Sequence, residues 1–234
     1  MPEKLLSDQD SLAKRERRKA KRETKREQPT PLPISYHFPV DNVTAFVLAG
    51  GRSSRMGSDK AMLVFNGQTL LQRALQVAAA AAGKTIIVGP KPRYAPLGEV
   101  IEDIYAGCGP LSGIHAALQA TGTDWNLVLS VDMPRMTSAF LSWLVQQAVA
   151  TQDSITVPDV LGGPQPLCAV YHRDLRQAAE QALNAADYKI AHLFAKVATR
   201  YITEPEIIAA GFSPELFVNI NTRGEYERLL AAQL

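Results

Sequence analysis

Cysteine is scarce in this 234-residue chain: Cys108 and Cys168 are the only two, far apart in the sequence. They fit neither a disulfide framework nor a zinc-ligand spacing, so a reducing cytoplasm is the expected home. The four histidines, His37, His115, His172 and His192, are scattered without metal spacing. G-x-S-x-G, H-E-x-x-H and C-x-x-C are all missing, so no covalent nucleophile or histidine-bound metal is indicated. No apolar run approaches the ~18 residues that a membrane span needs. The first residues, Met1-Pro2-Glu3-Lys4, lack the apolar centre of a signal peptide. Both common phosphate-loop patterns, Gly-Lys-Ser/Thr and G-x-G-x-x-G, are also absent.

What is present divides the chain by charge. Residues 1–34 carry ten Lys/Arg against six Asp/Glu, whereas the other 200 residues carry fifteen against seventeen. The basic character therefore belongs to the tail. From Lys14 to Glu27 nine of fourteen residues are basic, with no apolar stripe to dock a helix. A flexible extension is expected over residues 1–41, and binding to nucleic acid is the alternative that is not preferred. Pro29, Pro31, Pro33 and Pro39 mark a connector. With 46% hydrophobic residues over its 234 positions, the chain is long enough for one domain with a substantial core, expected at 42–234.

The body alternates strand-like and helix-like segments. Strands are expected over residues 43–48, 84–89, 99–102, 125–131, 154–158, 165–171 and 200–203. Helices are expected over 70–82, 111–120, 138–150, 174–185, 190–198 and 223–232. Such alternation implies crossover connections and a mostly parallel, twisted sheet flanked by helices, an α/β three-layer Rossmann-like fold.

Four places carry chemistry. Directly after the first strand comes Leu48-Ala49-Gly50-Gly51-Arg52-Ser53-Ser54-Arg55-Met56-Gly57-Ser58-Asp59-Lys60. Glycines there allow close approach of backbone N–H groups to a polyphosphate, and Arg55 and Lys60 can pair with its oxygens. A surface turn with incidental charge is the alternative. Asp132, in Val131-Asp132-Met133-Pro134, leaves a strand at the same edge, where a carboxylate can hold Mg²⁺; a helix cap is the alternative. Asp103 also ends a strand and is followed by Gly109-Pro110-Leu111-Ser112-Gly113, which opens a helix able to receive an anion, or is a plain turn. Last, in Phe217-Val218-Asn219-Ile220-Asn221-Thr222, Asn219 and Asn221 would share one strand face, away from Val218 and Ile220, and suit a heterocycle. Helix capping by Asn221 or Thr222 is the competing use.

Taken in order, these segments resemble the molybdenum cofactor guanylyltransferase group of nucleotidyltransferases. The resemblance rests on Leu48-Ala49-Gly50-Gly51, Ser54-Arg55-Met56-Gly57, Asp59-Lys60-Ala61, Ile101-Glu102-Asp103, Gly109-Pro110-Leu111-Ser112-Gly113, Asp132-Met133-Pro134, Pro166-Leu167 and Phe217–Thr222. It spans residues 43–232 and implies a nucleotidyltransferase fold. It implies transfer of GMP from GTP to the terminal phosphate of molybdopterin, with Mg²⁺ as cofactor and pyrophosphate as the other product. Leu48, Ala49 and Gly50 would contact base and ribose through their backbones, and Arg55 and Lys60 would hold phosphates. Asp103 would contact the nucleotide, Asp132 would bind Mg²⁺, and Asn219, Asn221 and the 163–167 loop would serve the pterin. Molybdopterin-delivery proteins and target molybdoenzymes would be partners. A cytidylyltransferase on the same pterin is the nearest rival, although such relatives tend to carry Pro-Lys in place of Asp59-Lys60. A sugar-phosphate nucleotidyltransferase and a catalytically silent nucleotide-binding adaptor are more distant rivals. One departure stands out: Gly89-Pro90 occupies the place where the pattern leads one to expect an asparagine touching the nucleotide.

Overall fold

The computed structural model describes residues 40–50, 59–105 and 107–231. The basic segment and connector expected within residues 1–39, and Arg55, lie outside them. In chain order the strands are β1 (Val43–Leu48), β2 (Val64–Phe65), β3 (Gln68–Thr69), β4 (Lys84–Val88), β5 (Val100–Ile101), β6 (Trp125–Ser130), β7 (Ile155–Val160), β8 (Gly163–Pro164), β9 (Cys168–His172) and β10 (Thr199–Thr203). The helices are α1 (Leu70–Ala79), α2 (Lys91–Tyr94), α3 (Pro110–Ala120), α4 (Ser138–Thr151), α5 (Arg176–Asn184), α6 (Ile190–Phe194), α7 (Glu204–Ala209) and α8 (Arg223–Ala231). None is long and apolar enough to cross a membrane.

The main sheet runs β10-β7-β9-β6-β1-β4-β5, with β8 paired to β7, and β2-β3 form a separate hairpin. β1 pairs in parallel with both β6 and β4, and β4 with β5. All six residues of β1 and all six of β6 are buried. That follows from central strands covered by helices on both faces, which read as near-continuous apolar runs. Successive side chains alternate between faces. Phe46 and Leu48 join Ile86, Leu111, Ile114, Ala179, Leu183 and Phe194 in one core, so α3, α5 and α6 cover that face. α1 and α4 pack on the sheet and on each other.

The expected elements hold with shifted ends, and the shifts have causes. α1 stops at Ala79, short of residue 82, because the Gly83 amide turns to donate to Val40 and Val43 carbonyls at 2.8 and 3.1 Å. A Cβ at Gly83 would lie 2.9 Å from the Val40 oxygen, so the turn excludes a side chain. The strand expected at 154–158 runs on to Val160, turns at Leu161 and Gly162, both at positive φ (54° and 87°), and returns as β8. Two central residues at positive φ make the hairpin turn that matches strand twist. β9 runs antiparallel to both β6 and β7.

The strand geometry in which Asn219 and Asn221 would share a face is not formed: a 3-10 turn, Pro214–Phe217, leads into irregular chain. The backbone donors are spent elsewhere. Val218 donates to Glu215, Ile220 to Asp132, and Asn221 and Thr222 to the Glu225 carboxylate. Val218 is exposed and Ile220 buried, so the alternation of a strand is lost. An aromatic cluster fixes this segment: the ring of Phe140 on α4 meets Phe217 at 5.1 Å and Phe212 at 5.2 Å, both edge-on.

Phe140 is fully buried. Phe140→Ala should cost about 3–5 kcal/mol, read as a lower midpoint in urea unfolding. A loss below about 1 kcal/mol would mean that the cluster does not hold this segment.

Candidate active site

Register places the site. Leu48 pairs with Val88 on one side and Ser130 on the other, and Val88 pairs with Ile101. Four parallel strands therefore end level, and the chain leaving each of them emerges on one edge of the sheet. Open α/β sheets bind ligands outside the carboxyl ends of their strands.

Three groups of side chains form along this edge. In the first, Lys60 Nζ lies 3.1 Å from Asp132 Oδ2 and 3.4 Å from Asn221 Oδ1. Lys60 opens the short turn Lys60–Met62, which Asp59 caps through the Ala61 amide. Both members of the ion pair are more than four-fifths buried, at 17% and 19% side-chain exposure. That confines the ammonium to a small space and lowers the screening of its charge. The other carboxylate oxygen, Asp132 Oδ1, is buried and has no hydrogen-bond partner among the described residues. A buried, unpartnered carboxylate oxygen is costly unless something occupies it. Its chemistry suits a hard cation or a strong donor brought by a ligand.

The second group joins the ends of β1 and β5. Ser112 Oγ, in the first turn of α3, donates to Asp103 Oδ2 at 3.0 Å or to the Gly109 carbonyl at 2.7 Å. Burial pushes the Asp103 carboxyl above its ordinary value, and the Ser112 bond opposes that rise. A Cβ at Gly113 would come 3.1 Å from the Leu48 side chain and 3.7 Å from Asp103 Oδ1, so the helix packs against both. Leu48 and Asp103 thus both lie against Gly113. Asp103 and Asp132 belong to separate groups.

The third group was not expected from the sequence. Tyr94, 1% exposed at the end of α2, places its hydroxyl 3.2 Å from the Ala49 carbonyl oxygen. The same hydroxyl lies 3.1 and 2.9 Å from the two oxygens of Asp59. Arg93 Nη1 reaches Asp59 Oδ2 at 3.0 Å. Burial first, then Asp59, pushes the phenol up to about 12, so it remains a donor at any physiological pH. No motif points to Tyr94; only its closeness to the departure at Gly89-Pro90 could have drawn attention to it. The amides of Ala49 and Gly50 donate to the Val88 carbonyl at 3.0 and 3.2 Å, which bends the chain over β4.

Asn219 lines a cavity of ≈ 340 Å³ with Pro134, Arg135, Ile220, Glu225 and Arg228. Asn219 Oδ1 is buried without a partner among the described residues. Asn219 and Asn221 thus diverge, one toward the cavity and one toward Lys60, where a shared strand face was expected. The helix-capping alternative is met in part: Thr222 Oγ1 accepts from the Glu225 amide at 3.2 Å. Among the described residues no three His, Cys, Asp or Glu side chains gather as a ready-made metal cage.

Asp103 supplies a test of the second group. Ser112→Ala removes the bond that favours the ionised carboxylate, so the Asp103 pKa should rise further, as measured by carboxyl-carbon NMR titration. An unchanged or lower value would show that Ser112 does not act on it.

The chain is similar to known proteins in sequence and in fold. Residues 45–200 match the model of the MobA-like NTP transferase domain. A protein of Bacillus cereus (strain Q1), named probable molybdenum cofactor guanylyltransferase, is 31% identical over 187 residues, covering 77% of this chain and 92% of that protein. One of Bacillus cytotoxicus with the same name is 31% identical over 199 residues, covering 82% and 98%. The crystal structure of molybdopterin-guanine dinucleotide biosynthesis protein A from Archaeoglobus fulgidus superposes with a TM-score of 0.71 at 24% identity, over 81% of this chain and 98% of that one. By sequence and by fold, this chain is a nucleotidyltransferase that belongs to the MobA-like NTP transferase family.

Proposed function

We propose that this enzyme transfers GMP from GTP to the terminal phosphate of molybdopterin, yielding the guanine dinucleotide form of the cofactor and pyrophosphate. The observation that carries this reading is the Lys60–Asp132 pair beside the Ala49-Gly50 bend: a confined cation and an unpartnered carboxylate oxygen at the carboxyl edge of the sheet. The names of the relatives at about 31% identity support the choice of base and acceptor.

In this reading the backbones of Leu48, Ala49 and Gly50 hold the base and ribose, and Asp103 contacts the nucleotide from the α3 side. Lys60 and Arg55 neutralise phosphate charge. Asp132 Oδ1 is a fitting ligand for Mg²⁺, since that oxygen is buried and unclaimed by protein donors. When bound, the ion would neutralise charge on the phosphates and fix their orientation. A terminal phosphate oxygen of the pterin attacks the α-phosphorus of GTP, the bond to the bridging oxygen breaks, and pyrophosphate leaves. No protein nucleophile is needed; the work is positioning and charge stabilisation. Lys60 is suited to it because Asp132 Oδ2 and Asn221 Oδ1 already hold its ammonium at the edge, so little reorganisation accompanies substrate binding. Asn219, which lines the ≈ 340 Å³ cavity, and Asn221 serve the pterin side.

The direct test supplies molybdenum-loaded molybdopterin and Mg²⁺ with GTP, CTP, ATP or UTP in turn and measures pyrophosphate release. Turnover with GTP alone is expected; a preference for CTP would overturn the guanylyl assignment. Asp132→Ala should reduce metal-dependent turnover at least about tenfold, a barrier increase of ~1.4 kcal/mol or more, with the circular dichroism spectrum unchanged. A folded variant that keeps more than a tenth of the wild-type rate would remove Asp132 from the metal site.

A further inference from the structure

The two ends of the glycine-rich nucleotide segment meet at a single oxygen. Ala49, the first residue beyond β1, presents its carbonyl to the Tyr94 hydroxyl, and Asp59, the residue before Lys60, presents its carboxylate to the same atom. A phenol has one proton, so these acceptors share one donor, and the charged carboxylate makes the stronger bond. Tyr94 is itself well anchored. The amide of Lys91, at the start of α2, donates to Glu102 Oε1 at 2.9 Å, and Arg93 reinforces Asp59 from the solvent side.

Gly89 explains how the ring gets there. A Cβ at this position would lie 3.0 Å from a Tyr94 ring carbon and 3.2 Å from the Gly50 nitrogen. Both contacts are too close for a side chain to fit without displacing the ring or the backbone. The departure at Gly89 therefore gives up a side chain that could reach the nucleotide, and in return the tyrosine packs beneath the segment.

We infer that Tyr94 is a positioning residue for the nucleotide: through Ala49 and Asp59, its hydroxyl sets the spacing between the backbone groups that receive the base and ribose and the Lys60 ammonium that receives the phosphates. It touches no substrate. With Ala49 and Asp59 both held against one buried hydroxyl, the groups on either side of them stand in place before the nucleotide arrives, and that preorganisation appears in affinity. This inference rests on the reading that the segment holds the nucleotide.

The test is Tyr94→Phe in the full chain, which keeps the buried ring and removes only the hydroxyl. The nucleotide KM should rise about tenfold, while the pterin KM and the kcat at saturating nucleotide change less than about twofold. Asp59→Asn should give the same split, and the double variant should be no worse than the more severe single one, because the two groups act as a unit. A nucleotide KM that moves less than about twofold would overturn the inference. So would a parallel loss in both KM values and kcat with a lowered melting temperature, or additive losses in the double variant. Running wild type and variants with all four nucleoside triphosphates separates this from the functional reading. A wild type that prefers another base refutes the guanylyl assignment, while the ratio of variant to wild type on that base still decides the role of Tyr94.

Discussion

The parallel pairing of β1 between β4 and β6 is the constraint on which everything else depends. Leu48, Val88 and Ser130 stand level because the register is continuous across the three strands, and Ile101 extends it to the sheet margin. A one-residue slip would turn every β1 side chain to the opposite face, burying none of the same partners. The two buried faces of β1 make such a slip prohibitive, so the core that stabilises the sheet also levels its upper edge. Asp103 and Asp132 stand at the edge two residues beyond the ends of their strands. Their placement is a property of the core before it is a property of any loop.

Much of this was legible in the sequence because central parallel strands advertise themselves. Val43–Leu48 is apolar except for Thr44 and is followed by small residues, and its bounds are those expected. From element order, Asp132 could be placed at the exit of a buried strand, on the same sheet edge as the loop that carries Lys60; the two side chains form an ion pair.

What the sequence did not disclose depends on long-range competition for hydrogen bonds. The alternation at Val218–Asn221 mimics a strand, but Glu225 and Asp132 claim the backbone amides first. The reversal of β9 is silent in composition, since an apolar buried strand reads the same in either direction. Tyr94 is one aromatic residue in a proline-rich stretch, and its partners are 45 and 35 positions away. Gly89 looked like a defect in a pattern; in three dimensions it is the space that another residue fills.

The reversed strand has a consequence for how the upper edge is divided. β9 lies between β6 and β7, so the chain at its upper end arrives through Gln165, Pro166 and Leu167, where every neighbour departs. The exits of β6 and β7 are thereby set about 10 Å apart, two strand spacings, with an incoming segment as a partition. The Leu161-Gly162 turn beyond it can lengthen or shorten without disturbing the register at Leu48. One half of the edge is free to diversify while the other stays fixed.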